Sequence, residues 1–314
     1  MDIKSNARKC TTTFQHSITS CCAIIVTFYP SKDIAENVAA LHDQVDTIII
    51  VDNASGDSYQ ELWQQLTKQF NVSIIYNSEN IGIAAALNLG LKKAKADGYQ
   101  WIVTFDQDSQ ATPNMIDTML QAYEIYPQNE KVVSLSPRYK DKNTGVIRGN
   151  QVLSSLTEIH PYLEAQTVMT SGNLLKLSVL DSVGYFNEAL FIDCVDYEYC
   201  LRCINQGYKI LEIKDAVLLH NVGFPVQHKL LWRTLTANNH SALRRYYYAR
   251  NAVYIYKKFA FKQPIWVIKN CCVLMKMIVV VTFFEVNRKK KLKAIFRGFV
   301  DGLFDRMGKC SASI

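Results

Sequence analysis

"WIVTFDQDS", residues 101–109, joins an apolar run to a polar tip carrying two carboxylates. The run has the length of a strand and no alternation, so it reads as a strand buried on both faces. Asp106 and Asp108 leave it two residues apart, on one side of an extended chain. Such a pair can hold a hard divalent cation, Mg²⁺ or Mn²⁺, against an anionic ligand. A solvated polar loop would explain the same letters. The neighbouring segments weigh between the two readings.

Upstream, the same punctuation recurs. Residues 22–28 ("CAIIVTF"), 46–53 ("DTIIIVDN") and 72–77 ("VSIIYN") read as strands, and 31–44, 57–70 and 81–98 as the helices between them, with Ser31 as a helix cap. Thr112-Pro113 is expected to start a further helix as cap and first helical residue. Strands alternating with helices predict an α/β fold with a doubly wound, mostly parallel sheet. Ligands bind such sheets beyond the carboxyl ends of the strands. Thr27-Phe28-Tyr29, Asp52-Asn53 and Asp106-Gln107-Asp108 are therefore expected to open on one crevice. Neither G-x-G-x-x-G nor a Walker lysine motif occurs, which argues against dinucleotide-binding and P-loop readings.

Asp52 could accept the imide N–H of uracil or thymine, or close an Asx turn with Asn53. Asn80 precedes Gly82 at a helix start, where glycine allows close backbone approach to a ligand or to a neighbouring element. In "FIDCVDYEYCLR", residues 191–202, Glu198 lies four residues before Arg202 and reads as a structural pair. Asp196, near the helix start, is freer to face a cleft and take a proton from a hydroxyl. His220 ends "AVLLH", where a neutral imidazole could complete a metal shell. "YKILEI" and "AVLLH" read as two short strands, and 196–207 as a helix closed by Gly207.

The charge is unevenly spread. The chain of 314 residues carries a net +7, yet residues 242–314 hold 16 Lys/Arg against 3 Asp/Glu, and the remainder 19 against 25. A basic tail on an acidic body suggests an anionic surface as its partner, lipid headgroups before nucleic acid. Residues 240–259 read as a helix, and "RRYYYARN" lies within it. Residues 265–284 are apolar but interrupted by Lys269, Asn270 and Lys276, which favours a helix lying in the membrane interface over one crossing it. Packing on the domain or on a second copy is the other use for such helices. Nine cysteines without a framework spacing favour a reducing compartment. Cys200 and Cys203, with Cys194 and His220, could be drawn as a zinc set, but reduced, half-buried cysteines on a helix explain them better.

In order, the segments V-T-F-Y-P, V-D-N-A-S, N-x-G-I-A-x-A-x-N-x-G, D-Q-D-S, S-G-N, F-I-D-x-x-D-x-E-x-x-x-R and H-N-V-G resemble glycosyltransferase family 2, most closely its rhamnosyltransferase branch. The resemblance spans roughly residues 22–260. It implies a GT-A fold, a nucleotide-sugar donor, a divalent metal and inversion at the anomeric carbon. It implies that Thr27, Tyr29, Asp52, Asn80, Gly82, Asp106 and Gln107 hold the nucleotide. Asp108, with Asp106 and His220, would bind the metal. Asp196, beside Asp193, would be the general base, and Ser171, Gly172 and Asn173 would sit near the sugar and acceptor. The branch usually reads V-T-Y-N-P in its first segment; here Tyr29 replaces the asparagine.

The divisions that follow are a flexible lead-in at 1–21, a nucleotide-sugar half at 22–137, an acceptor half at 138–239 and a helical basic region at 240–314. The function expected is metal-dependent transfer of L-rhamnose from dTDP-rhamnose to a lipid-linked glycan, on the cytoplasmic face of the plasma membrane. The same chemistry with a UDP-hexose or UDP-galactofuranose donor is the alternative, and a non-catalytic nucleotide-sugar-binding scaffold a second. No nucleic-acid partner is expected, and the C-terminal helices offer a route to a homo-oligomer.

Overall fold

The computed structural model describes residues 20–149, 160–221, 226–230 and 233–311. Most of the expected lead-in lies outside them. The first half alternates as its sequence demands: β1 (Cys21–Thr27), α1 (Ile34–His42), β2 (Thr47–Asp52), α2 (Gln60–Gln69), β3 (Val72–Tyr76), α3 (Ile83–Ala96) and β4 (Trp101–Asp106). All four strands are parallel, in the spatial order β3-β2-β1-β4. Ile25, Ile48, Ile50, Val103 and Phe105 face one hydrophobic core, while Ile24, Val26, Ile49, Val51 and Ile102 face a second. Both faces are buried, which explains apolar runs without alternation.

The helix starts differ from the sequence reading. α1 begins at Ile34 behind Asp33, and Ser31 contributes only its backbone carbonyl, to the Ile34 N–H. After β4 the chain pairs once more as β5 (Gln110–Ala111), and α4 (Met115–Glu124) begins behind Asn114 in a left-handed conformation. Thr112 is drawn away from the helix because its hydroxyl donates to the Val217 carbonyl at 2.7 Å.

The second half supplies β6 (Val132–Asp141), β7 (Ile147–Arg148), β8 (Tyr162–Glu164), β9 (Asn173–Lys176), α5 (Leu180–Val183), α6 (Val195–Asn205) and β10 (Lys209–His220). β9 inserts antiparallel between β4 and β6, and β10 runs parallel to β6. The sheet thus reads β3-β2-β1-β4-β9-β6-β10-β5, parallel from β3 to β4 and mixed beyond it. "YKILEI" and "AVLLH" belong to one strand, β10; its register slips between Ile213 and Val217, which let one strand pass for two. A small ribbon follows, β11 (Val226–Leu230) with β12 (Arg233–Ala237).

Three helices close the chain: α7 (Ala242–Phe259), α8 (Pro264–Phe284) and α9 (Arg288–Leu303). Gly298 and Gly302 let α9 lie against α7; a Cβ at either would sit 2.3 Å from a backbone oxygen of Tyr246 or Arg250. Glu285, buried after α8, is held by Arg245 and by Lys291 at 2.8 Å. α8 is continuous through Lys269, Asn270 and Lys276 for 21 residues, and 28% of its apolar stretch is buried. By length and composition it could cross a membrane. Ile265, Ile268, Met275 and Phe283 of α8 are exposed, as are Phe296, Phe299 and Phe304 in and after α9.

Candidate active site

The strand register sets the first residues of the site. Thr27 lies beside Asp52 and Val26 beside Asp106, so the polar ends of β1, β2 and β4 meet at one edge. They border a cavity of about 630 Å³, also lined by the start of α6 and one stripe of α7. Each of the three strand ends contributes to it, though not with every residue. Thr27, Phe28, Asn53, Asp106, Gln107 and Asp108 line it. Asp52 is buried behind them, where its carboxylate accepts from the Thr27 hydroxyl at 2.9 Å, from the Ser55 hydroxyl and from the Ser55 N–H at 3.0 Å. Its place is that of a turn-closing aspartate that orients Thr27. Tyr29 stands outside the cavity on an exposed rim, at φ +49°, against Phe28 and Tyr59.

Gln107 joins two strand ends. Its side-chain oxygen accepts from the Phe28 N–H at 2.8 Å, its amide donates to the Phe28 carbonyl at 3.3 Å, and its backbone carbonyl accepts from Asn37. It ties the ends of β1 and β4 together and fixes the turn that carries Asp106 and Asp108. Asp106, Asp108 and His220 offer one ligand atom each, all within 4.8 Å of one another. Two carboxylates and an imidazole suit Mg²⁺ or Mn²⁺. The His220 Nδ1 lies 2.8 Å from the Ser109 hydroxyl and 3.9 Å from the Asp108 carboxylate. Ser109 accepts in turn from Ser171 at 2.8 Å, and Ser171 accepts from the Asp106 N–H at 3.1 Å. This hydrogen-bonded series fixes the ring of His220, the kind of support that a ligand imidazole would need. Burial, and then the neighbouring Asp108, push the Asp106 carboxyl up from its ordinary value. A bound cation would reverse that penalty.

Of the Ser171-Gly172-Asn173 segment, Ser171 lines the cavity. Gly172, at φ +77°, closes against Pro137, and Asn173 turns into the sheet, accepting from Ser134 at 2.6 Å. Gly82, at φ +87°, leaves no room for a Cβ, which would meet the Phe191 carbonyl at 2.6 Å. The Ile83 N–H donates to that carbonyl at 2.7 Å, and Asn80 accepts from the Gly82 N–H at 2.9 Å. The glycine thus serves the approach of a neighbouring loop, whose turn lines the same cavity.

That loop carries the second set of carboxylates. Phe191, Asp193 and Cys194 all have positive φ, near +63°, a costly run for residues other than glycine. α7 holds it. Asn251, fully buried, donates to the carbonyls of Leu190, Ile192 and Asp193, and Arg250 donates to those of Ala189 and Leu190. "RRYYYARN" is therefore in large part a clamp, a role its composition alone did not reveal. The clamp sets Asp196 in the first turn of α6, lining the cavity. Burial first, with the charges of Asp193 and Asp106, pushes its carboxyl up to about 7, against the pull of the Tyr197 N–H. A carboxyl that titrates near neutrality is suited to general-base work. Asp193 is raised by burial and restrained by Arg244, whose Nε lies 3.2 Å from it. Glu198 is structural as read, paired with Arg202 at 2.9 Å and Lys258 at 2.8 Å. Cys200 and Cys203 are buried free thiols on α6. Arg244, His240 and Tyr248 also line the cavity, and only the basic-aromatic pattern of their segment hinted at them.

Comparison with known proteins agrees with this geometry. Residues 22–180 match the family model described as glycosyl transferase family 2. A dTDP-rhamnosyl transferase of Shigella flexneri, RfbF, is 29% identical over 245 residues, covering 75% of this chain and 79% of that protein. A poly-beta-1,6-N-acetyl-D-glucosamine synthase of Staphylococcus aureus is 25% identical over 186 residues, which are 57% of this chain and 43% of that one. Among solved structures, S. aureus TarS 1–349 in complex with UDP-GlcNAc superposes with a TM-score of 0.53 at 15% identity, over 91% of this chain and 82% of that one. GalNAc-T7 with UDP, GalNAc and Mn²⁺ gives 0.54 at 14%, over 68% and 44%. The structures share the fold, of GT-A type. The family match covers the strands that deliver Asp106 and Asp108, and the chain accordingly belongs to glycosyl transferase family 2 and is a glycosyltransferase.

Proposed function

We propose that the chain transfers L-rhamnose from dTDP-rhamnose, with inversion, to a lipid-linked glycan in surface-polysaccharide assembly. The observation that carries the reading is one cavity that holds both a cation-binding set, Asp106, Asp108 and His220, and a carboxyl poised near neutrality, Asp196. The rhamnosyl transferase relative supports the donor. Thr27, oriented by Asp52, would meet the nucleobase, with Asn53, Asn80 and Gln107 around the nucleoside. Ser171 would face the sugar. The Asp196 carboxylate accepts the proton of the acceptor hydroxyl as that oxygen attacks the anomeric carbon from the side opposite the departing diphosphate. Burial by the clamped 191–194 loop keeps the carboxylate in place and raises its basicity. When bound at the Asp106, Asp108 and His220 set, Mg²⁺ or Mn²⁺ would neutralise charge developing on the leaving nucleoside diphosphate.

The exposed apolar side chains of α8 and α9 alternate with exposed Lys269, Lys276, Lys289, Lys290 and Lys293. Such a surface suits the headgroup region of an anionic cytoplasmic leaflet, where a polyprenyl-linked acceptor would be found. A UDP-hexose or UDP-galactofuranose donor is the second reading, favoured by the UDP-GlcNAc complex of the structural relative. A donor screen in Mg²⁺ or Mn²⁺, read as nucleoside diphosphate release, separates the two. Fastest release from dTDP-rhamnose is expected, and preference for a UDP-sugar would replace the first reading by the second.

A further inference from the structure

Four carboxylates line the cavity: Asp106, Asp108, Asp193 and Asp196. Among the described lining residues, Arg244 is the one Lys or Arg. His240, Arg244 and Tyr248 recur every fourth residue, so a single stripe of α7 and the segment before it faces inward. His240 brings no charge at neutral pH, because burial and the adjacent arginines push its ring down to about 4. The three arginines of "RRYYYARN" have different fates. Arg245 is buried against Glu285, and Arg250 is spent on backbone carbonyls. Arg244 keeps half its side chain exposed and touches one partner through Nε, Asp193. Among the described residues its two terminal amino groups meet no protein acceptor. A guanidinium held at one edge, with its remaining donors in a cavity, is arranged to take a second anion.

We propose that Arg244 is a diphosphate-binding residue of this cavity. The inference rests on the nucleotide-sugar reading above and deepens it. A diphosphate entering between four carboxylates needs more positive charge than one divalent cation supplies, and Arg244 lines the same space. The diphosphate has two candidate sources, the nucleoside diphosphate of the donor and the diphosphate of a lipid-linked acceptor. Arg244 would hold either by paired N–H donors while Asp193 fixes the opposite edge.

The test is calorimetric titration of the full chain in Mg²⁺ with dTDP, inorganic pyrophosphate and farnesyl diphosphate as probes. Arg244→Gln is expected to weaken at least one diphosphate probe about tenfold or more, the cost of one charge-assisted pair. Arg244→Lys should recover part of that loss. Weakened dTDP with unchanged farnesyl diphosphate assigns the donor as the source, and the reverse assigns the acceptor. Equal affinities in wild type and Arg244→Gln for all three probes overturn the proposal while leaving the donor reading intact. No binding of any probe by wild type removes both. Asp193→Asn separates binding from mere positioning: a residue that only oriented Asp193 would lose as much affinity in Asp193→Asn as in Arg244→Gln. Affinity retained or raised in Asp193→Asn is the result expected.

Discussion

The cavity holds two pairs of aspartates built in different ways. Asp106 and Asp108 leave the end of β4, a strand buried on both faces, and Gln107 between them bolts the turn to β1. Asp193 and Asp196 sit on and just after a loop with three left-handed residues, held from behind by Arg250 and Asn251 of α7. The first pair is positioned by the sheet and the second by a helix about sixty residues further along. A sheet would give the proposed cation site rigid ligands. A clamped loop would give the proposed base surroundings that can be tuned without disturbing that sheet.

Breaking the chemistry of the second pair should have the largest effect. Asp196→Asn is expected to lower turnover by about a thousandfold or more while dTDP still binds, as assays of product release and of binding on one preparation would show. Asp108→Ala should break the first pair with a smaller loss, roughly a hundredfold, accompanied by a lost response to added Mg²⁺ or Mn²⁺. Unaltered activity of wild type in excess chelator would remove the cation from the account.

Asn251→Ala sharpens the contrast, because it touches no ligand. Removing three hydrogen bonds to loop carbonyls should destabilise the fold by roughly 2–4 kcal/mol and slow turnover, leaving metal affinity at Asp108 within a few-fold. Equal damage to both pairs would mean that they are not separately supported. The smallest effect concerns stability against pH. The Asp196 carboxyl is raised in the folded state, so its ionisation costs stability as pH rises from about 4 to about 7. Asp196→Asn should therefore be more stable than wild type above pH 7, with the difference vanishing towards pH 4. Thermal unfolding at pH 4 and pH 8 measures it.

The difference between the two pairs also explains what could be read from the sequence. Apolar runs closed by polar tips made β1 to β4 legible, and with them the strand ends that meet at one edge. Asp106 and Asp108 followed, because strand period and position are local properties. Asp52 and Asn173 were harder, since each turns its side chain into a network rather than the cavity, and that depends on Ser55 and Ser134. The clamp was illegible. Asn251 and Leu190 are 61 residues apart, and nothing in either segment announces the contact. Arg244, Arg245 and Arg250 look alike in the sequence, and only packing assigns one to the cavity, one to Glu285 and one to the loop. β10 was split in two because Lys214 and Asp215 mark a bulge, and a bulge mimics a turn.

The central claim is that Asp196 is the base of a nucleotide-sugar transfer. The most direct test is kcat/KM against pH from 5 to 9, for wild type and Asp196→Asn under saturating metal. The account predicts a wild-type acid limb of unit slope centred near 7, absent from the residual activity of Asp196→Asn. A flat wild-type profile, or the same limb in both proteins, would contradict it.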